Sequence, residues 1–181
     1  MVSQRGKRIL QHSVFIQLLL CSHLAMSANQ GRGEVTVNGQ IIASACAIDT
    51  KSVDQTIIMT TLPVSQIIRD GQGDVNPFSI KLVNCILEKL NPTLDDWQYF
   101  KVTFDGRSDA GLFAINGNAK GIGLQISDGK GNIAIPGIPM DKNDIQPGNM
   151  EFHYGLRLIG NHQILEAGSY SSTVRFKMDY Y

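Results

Sequence analysis

The chain has 181 residues and lacks the motifs of the common enzyme classes. It contains no Gly-x-Ser-x-Gly sequence and no Gly-Lys-Ser or Gly-Lys-Thr run, which excludes a recognisable hydrolase nucleophile or phosphate-binding loop. Its His, Cys, Asp and Glu residues do not follow the spacing of a zinc motif, and it has no repeats or low-complexity tracts. We therefore expect no enzyme, no metal and no cofactor.

Long hydrophobic runs are also absent. The longest, at 14–21, is well short of the roughly 20 apolar residues that a bilayer-spanning helix needs. Three basic residues precede this run and small residues follow it, which is typical of a secretory signal peptide cleaved after Ser27 or Ala28. The alternatives are a membrane anchor, for which the run is too short, and lipoprotein processing at Cys21, which the bulky Leu20 disfavours.

Charge and cysteine are scarce in the remaining chain. Removal of residues 1–28 takes away three basic residues and no acidic one, which leaves 13 basic and 16 acidic residues and a net charge of −3. This charge does not favour a nucleic acid or an anionic membrane as partner. Two cysteines remain, and an even count in an exported chain predicts a disulfide between Cys46 and Cys85. It would close a loop of about 40 residues and stabilise the fold by about 3 to 4 kcal/mol; two buried thiols are the alternative.

Short apolar segments separated by turn residues make up most of the mature chain. They lie at 53–59, 78–85, 100–104, 122–126, 133–135, 152–159 and 170–180. Several alternate apolar and polar residues, and the sequences between them are rich in Gly, Asn, Asp and Pro. Helix has room only at 62–69 and 87–94. The pattern predicts an all-β domain, either an antiparallel sandwich or a barrel.

The two ends of the mature chain carry strand patterns that need partners. The segment 170–180 places Tyr170, Ser172, Val174, Phe176, Met178 and Tyr180 on one face. Near the amino terminus, Gly33, Val35 and Val37 share one phase of a two-residue repeat, and Gly39 separates them from the next apolar segment. A strand with one unpaired edge invites another chain to pair with it.

Several segments, taken in order, resemble the chaperone–usher fimbrial subunits of type 1 and P pili. They are 39–48, which contains Cys46; 78–85, which ends at Cys85; 102–106; 119–126; and the carboxyl end. There, Gly168 is fourteenth from the end and Tyr180 is penultimate, the spacing that pilins present to their periplasmic chaperone. The resemblance covers essentially the whole mature chain.

This resemblance implies an incomplete immunoglobulin-like β-sandwich that lacks its final strand and has one disulfide. It divides the chain into a signal peptide (1–28), an amino-terminal donor-strand arm (29–38) and a pilin domain (39–181). It also implies that a periplasmic chaperone, and then the arm of a neighbouring pilin, fills the groove left by the missing strand. Assembly would take place at an outer-membrane usher, after passage through the periplasm, and yield a fimbrium at the bacterial cell surface.

The same resemblance assigns roles to individual residues. Val35 and Val37 would be donor side chains inserted into a neighbour, and Gly33 would allow a close approach of the two backbones. The strand that binds the chaperone and borders the groove would carry the residues Gly168, Tyr170, Val174, Phe176, Met178 and Tyr180. Ordinary core packing is the alternative for these side chains.

The short arm favours a minor subunit. Only residues 29–32 precede Gly33, whereas major pilins tend to have a longer arm with a further apolar residue near its tip. The segments 102–106 and 116–137 also resemble the minor subunit that terminates and anchors the P pilus. A terminating or other minor subunit is therefore favoured over a major repeating pilin of the shaft.

A secreted carbohydrate-binding β-sandwich is the alternative from another class. Its aromatic candidates are Trp97, Tyr99 and Phe100, with Asp95 and Asp96 beside them. Adjacent residues project apart on most backbones, so the two carboxylates are better explained as parts of a solvated loop.

Overall fold

The computed structural model describes residues 33–39 and 44–181. The first stretch lies in the unit Met1–Ile41 and the second in the unit Ile42–Tyr181. Three predicted parts of the chain lie outside the described residues. They are the signal peptide (1–28), the start of the donor-strand arm (29–32), and residues 40–43 near the beginning of the predicted pilin domain. Neither helix in the described ranges is long and apolar enough to cross a membrane.

The unit Ile42–Tyr181 is built mainly from short and long β-strands. They are β1 (Ala47–Ile48), β2 (Asn76–Cys85), β3 (Tyr99–Asp105), β4 (Ser108–Asp109), β5 (Leu112–Phe113), β6 (Asn116–Gly117), β7 (Ile122–Asp128), β8 (Ile133–Ala134), β9 (Asn143–Asp144), β10 (Gly148–Gly160), β11 (Tyr170–Ser171) and β12 (Arg175–Tyr180). Two short helices, Thr50–Val53 and Val64–Asp70, lie between β1 and β2. The all-β prediction is confirmed.

The strands form two principal sheets, and the pairs within them are antiparallel. The larger has the order β1-β2-β10-β7-β5-β4, with β8 paired to β7. The smaller has the order β12-β3-β9, and β11 pairs with β6 in a separate ribbon. Separate sheets decide between the two predicted architectures in favour of a sandwich.

Aromatic rings join the two principal sheets through the core. Phe104 of β3 contacts Phe78 of β2 and Tyr154 of β10, with ring centroids 6.2 and 5.1 Å apart. Phe100 of β3 lies edge-on to Phe152 of β10 at 4.9 Å. Because side chains alternate along a strand, every second residue of β2, β3 and β10 enters this core. Among the residues between them, Thr103 of β3 is also buried.

The predicted strand over 170–180 is divided in two. Tyr170 lies opposite Gly117 of β6, whereas pairing with β3 begins only at Arg175, opposite Asp105. β3 ends at Asp105, so residues before Arg175 have no β3 residue to pair with and β11 pairs with β6 instead. The Ser172 hydroxyl, between the two strands, donates to the carbonyl of Ala114 at 2.8 Å.

Two further segments differ from their sequence patterns. Residues 53–59 were expected to be a strand, but Val53 ends a helix that begins where the Asp49 carboxylate accepts from the Lys51 N–H at 2.9 Å. No helix forms at 87–94, where the Asn91 side chain accepts from the Thr93 N–H in a turn. The helix Val64–Asp70 begins two residues inside the 62–69 segment that had room for it and extends one residue beyond that segment. It is followed by Gly71, which has φ +71° and caps the helix.

Candidate strand-docking site

The last strand lies at the edge of its sheet. β12 pairs with β3 from Arg175 opposite Asp105 to Tyr180 opposite Phe100. Its other side has no strand partner within residues 33–39 and 44–181. We call this side of Arg175–Tyr180, which faces away from β3, the open edge.

The hydrogen bonds to β3 determine which backbone groups point to the open edge. In an antiparallel ladder, pairs that exchange two hydrogen bonds alternate with pairs that exchange none. Tyr181 and Tyr99 exchange both, with N···O distances of 2.9 and 3.3 Å. Every second residue back from Tyr181 therefore bonds to β3, and the residues between them direct N–H and C=O to the open edge: Phe176, Met178 and Tyr180.

The opposite side of β3 gives an independent check of this assignment. The carbonyl of Val102, which lies opposite Met178, accepts from the Met140 N–H at 2.8 Å. The carbonyl of Phe104, opposite Phe176, accepts from the Gly137 N–H at 2.8 Å. Both carbonyls point away from β12, as residues of non-bonded pairs must.

The inward side chains of β12 are only partly covered. Their partners on β3 are buried in the core: Phe100, Val102 and Phe104. Across the ladder, the side chains that pack on this core are only half-buried: Phe176, Met178 and Tyr180, together with Val174 just before the strand. An apolar face beside unpaired backbone groups is the surface that an added strand would cover.

An aromatic cluster lies at the carboxyl end of the open edge. The Trp97 ring stands edge-on to Tyr180 with centroids 6.2 Å apart, and the Lys89 ammonium lies 4.2 Å from the Trp97 centroid. The Tyr180 hydroxyl donates to the Met178 sulfur at 3.7 Å. Partial burial raises the pKa of Tyr180.

The outward face of β12 is charged and solvated. Lys177 and Asp179 form an exposed ion pair at 2.9 Å, and a hydrogen bond to Asp179 raises the pKa of Lys177. Exposed pairs of this kind contribute little to stability. The outward face of β12 is therefore not a major source of stability.

Comparison with known proteins shows the family to which this chain belongs. The chain is 34% identical over 155 residues to the PRS fimbrial minor pilin protein and to the PAP fimbrial minor pilin protein, both of Escherichia coli. Each alignment covers 82% of this chain and 77% of the relative. The chain is a fimbrial pilin.

Two further comparisons complete this finding. No family model matches the pilin. Its fold resembles that of a subunit in the solved structure of a chaperone–usher pilus, with a TM-score of 0.68 and 24% identity, over 87% of this chain and 100% of that chain. The expected immunoglobulin-like sandwich of a fimbrial subunit is confirmed.

The disulfide of the pilin is present as predicted. Cys46 and Cys85 are bonded, with Cα atoms 4.1 Å apart, and both are buried. The bond joins the residue before β1 to the last residue of β2, and the Ile86 N–H donates to the carbonyl of Ala45 beside it at 2.8 Å. The disulfide therefore attaches the residue before β1 to the second strand of the larger sheet.

The predicted donor residues of the pilin lie in the unit Met1–Ile41. Val35 and Val37 are 89% and 86% exposed, and the space where a Gly33 side chain would begin is open. Residues 33–39 form neither helix nor strand. Two exposed valines in alternating positions agree with an arm that pairs elsewhere, and their role stays a prediction.

The predicted chaperone-binding residues fall into two places. Phe176, Met178 and Tyr180 lie together on the open edge, with Val174 at its start. Tyr170 instead lies in β11, where partial burial raises its pKa, and Gly168 precedes it. A Cβ at Gly168 would lie 2.7 Å from the backbone nitrogen of Ala119, so this glycine permits close packing against the turn after β6.

The sequence allowed two interpretations of Trp97, a sugar-stacking ring and a half-buried ring beside a solvated loop, and it favoured the second; Trp97 is half-buried. The structure places it against Tyr180 and beneath Lys89, which covers ring surface that a sugar would need. No sequence periodicity indicates this contact, because Trp97 lies in a loop before β3. In the described parts of the chain, no three His, Cys, Asp or Glu side chains are grouped as metal ligands would be.

Proposed function

We propose that this pilin, a structural subunit of a fimbria, is completed by a donor strand that another protein adds to the open edge. The observation that carries the proposal is the open edge itself, where three half-buried apolar residues also present backbone groups with no strand partner in the described part of the chain. A strand added there would satisfy these groups through ladder hydrogen bonds and would cover the apolar face with alternate side chains.

The donor strand would come first from a periplasmic chaperone. The pilin would then pass to an outer-membrane usher and join neighbouring pilins in a fimbrium at the bacterial surface. Residues 29–38 would act as the arm given to a neighbour, with Val35 and Val37 as the inserted side chains and Gly33 at the closest approach. The exposure of both valines supports this arrangement.

Within the fimbria, we favour a minor subunit with a terminating and anchoring role. Its support is the similarity to two minor pilins of Escherichia coli and the short polar sequence before Gly33. A major repeating subunit is the second candidate, which the 25% identity over 161 residues to the major MR/P fimbria protein of Proteus mirabilis favours. A carbohydrate-binding role is disfavoured, since Trp97 already packs on Tyr180.

Co-expression with the cognate chaperone tests completion of the fold. We expect the pilin to be soluble only in the chaperone complex, because the apolar face of β12 is uncovered without it. Met178→Asp places a charge on the inward face and should abolish the complex. Lys177→Asp on the outward face is the matched control and should retain it. A stable, soluble monomer made without the chaperone would contradict the proposal.

Deletion of the pilin tests the terminating role. Without a terminator, pili should be longer and should be released into the medium, and complementation should reverse both effects. For a major subunit, deletion should instead remove the shaft. A peptide of another subunit's arm offers a second test, since it should displace the chaperone from a major subunit but not from a terminator.

A further inference from the structure

We propose that Asn38 is a site of spontaneous deamidation and that pairing of the arm as a strand protects it. The site itself follows from the local structure of Asn38 and Gly39. The protection rests on the proposed function of residues 29–38 as a donor arm.

The Asn38–Gly39 pair is unusually accessible. Both residues are exposed and lie in a stretch with neither helix nor strand. A Cβ built on Gly39 would have no heavy atom beyond its chain neighbours within 4 Å. Glycine has no side chain to shield its own amide nitrogen, and its backbone reaches conformations closed to other residues. The Gly39 nitrogen therefore has steric access to the side-chain amide of Asn38.

This contact allows an intramolecular substitution. The Gly39 backbone nitrogen attacks Cγ of Asn38, a new C–N bond closes a five-membered imide ring, and the side-chain amide leaves as ammonia with the proton of the backbone nitrogen. A water molecule from solvent then opens the ring at either carbonyl. One product is an aspartate, and the other is an isoaspartate in which the main chain runs through the former side chain.

The chain contains a matched internal control. Asn116 and Gly117 form the same dipeptide and are also exposed, but they lie in β6, opposite Ser171 and Tyr170. A Cβ at Gly117 would collide with the carbonyl oxygen of Ser169. Ring closure there first requires β6 to separate from β11, and such local opening costs free energy. The two dipeptides are therefore both exposed, but only the backbone of Asn116–Gly117 is held in a strand pair.

Deamidation at Asn38 would change the proposed arm. Either product adds a negative charge immediately after Val37. The isoaspartate also lengthens the main chain by one atom directly after the last predicted donor residue, Val37. A pilin whose arm stays unpaired for long would thus accumulate a modified residue at the junction between the arm and the predicted pilin domain.

Peptide mapping by mass spectrometry tests the site. The full exported chain, in its chaperone complex, is incubated over a range of pH, and the asparagine and aspartate forms of both dipeptides are quantified. We expect Asn38 to react at least roughly tenfold faster than Asn116, which corresponds to about 1.4 kcal/mol of local opening at β6. The rate should increase with pH, because attack requires loss of the amide proton, and Gly39→Ala should slow only Asn38. Equal deamidation rates at Asn38 and Asn116, or no effect of Gly39→Ala, would contradict the proposal that Asn38 is a preferred site of deamidation.

The same measurement on assembled fimbriae tests the protection. If the arm is paired with a neighbour, Asn38 should react more slowly in fimbriae than in the chaperone complex, while Asn116 should not change. Equal Asn38 rates in both samples, with Asn38 still faster than Asn116, would overturn the protection while leaving the modification site supported, and the donor-arm role of Val35 and Val37 would still be decided by the tests given for the proposed function.

Discussion

Phe176 lies directly opposite Phe104 in the ladder between β12 and β3, with ring centroids 6.3 Å apart, yet only Phe104 is buried. Phe104 is covered by Phe78 and Tyr154 from the larger sheet. Phe176 lies on the last strand, where the described residues add no further strand. The core is therefore fully covered at Phe104 and only partly covered at Phe176, although the two residues face each other across one ladder.

This contrast predicts different costs for the two phenylalanines. Phe104→Ala should destabilise the chaperone complex by about 3 to 5 kcal/mol, as expected for a buried phenylalanine. Phe176→Ala should mainly weaken chaperone binding, because much of its apolar surface is covered only when a strand is added. Urea unfolding and chaperone affinity are measured for both variants, with Lys177→Ala as the outward control. Equal losses of affinity for Phe176→Ala and Lys177→Ala would contradict the prediction.

Proline substitutions test the assignment of backbone groups on β12. The Met178 N–H points to the open edge, so Met178→Pro leaves the ladder to β3 intact but removes a donor needed by an added strand. Lys177→Pro removes an N–H that bonds to β3 and should prevent folding. Met178→Ala controls for the lost side chain and should bind the chaperone better than Met178→Pro. Pull-down with the chaperone measures the difference. If Lys177→Pro were better tolerated than Met178→Pro for folding, the assignment would be wrong.

The disulfide predicts a redox dependence of stability. Replacing Cys46 and Cys85 by serine should lower the free energy of unfolding by about 3 to 4 kcal/mol, because the bond restricts a loop of about 40 residues in the unfolded chain. Chemical denaturation of the chaperone complex, with and without a reducing agent, provides the measurement. The double variant should be insensitive to the reducing agent. An unchanged unfolding midpoint in the reduced parent would show that the bond contributes nothing.

Buried tyrosine predicts a loss of stability at alkaline pH. Burial, with a smaller effect of the Asp128 charge, raises the pKa of Tyr154 above the ordinary value of 10.0. Because the folded state holds the neutral phenol, this contribution is complete below about pH 10 and is lost as the pH rises through the raised value. Stability should fall by up to about 1.4 kcal/mol per pH unit from this residue. Unfolding midpoints between neutral and alkaline pH should show a smaller fall for Tyr154→Phe than for the control Tyr181→Phe. The same fall in both variants would rule out Tyr154 as the cause.

The sequence was sufficient for the long strands because each of them buries one face. Alternation in β2 and β10 follows directly from the core on one side and solvent on the other, and β3 keeps the same alternation although its outward residue Thr103 is buried. The division of the last strand could not be predicted, since it depends on where β3 ends, at Asp105. Strands of two residues, such as β6, are too short to show any period.

The docking site was only half predictable for a similar reason. Alternation alone places Phe176, Met178 and Tyr180 on one face of the strand. Which edge of the strand is open, and which backbone groups point to it, depends on pairing with residues far away in the chain. The hydrogen bonds of Tyr99 and Tyr181 supply that information, and no local pattern contains it.

Hydrogen exchange at single amides on β12 measures directly whether a donor strand pairs with the open edge. We expect the amides of Phe176, Met178 and Tyr180 to exchange much more slowly in complexes with a native chaperone than with one whose donor strand is weakened by substitution. The amides of Lys177 and Asp179, already bonded to β3, should change little between the two complexes. Protection gained at Lys177 and Asp179 instead, or no gain at the other three, would contradict a donor strand at the open edge.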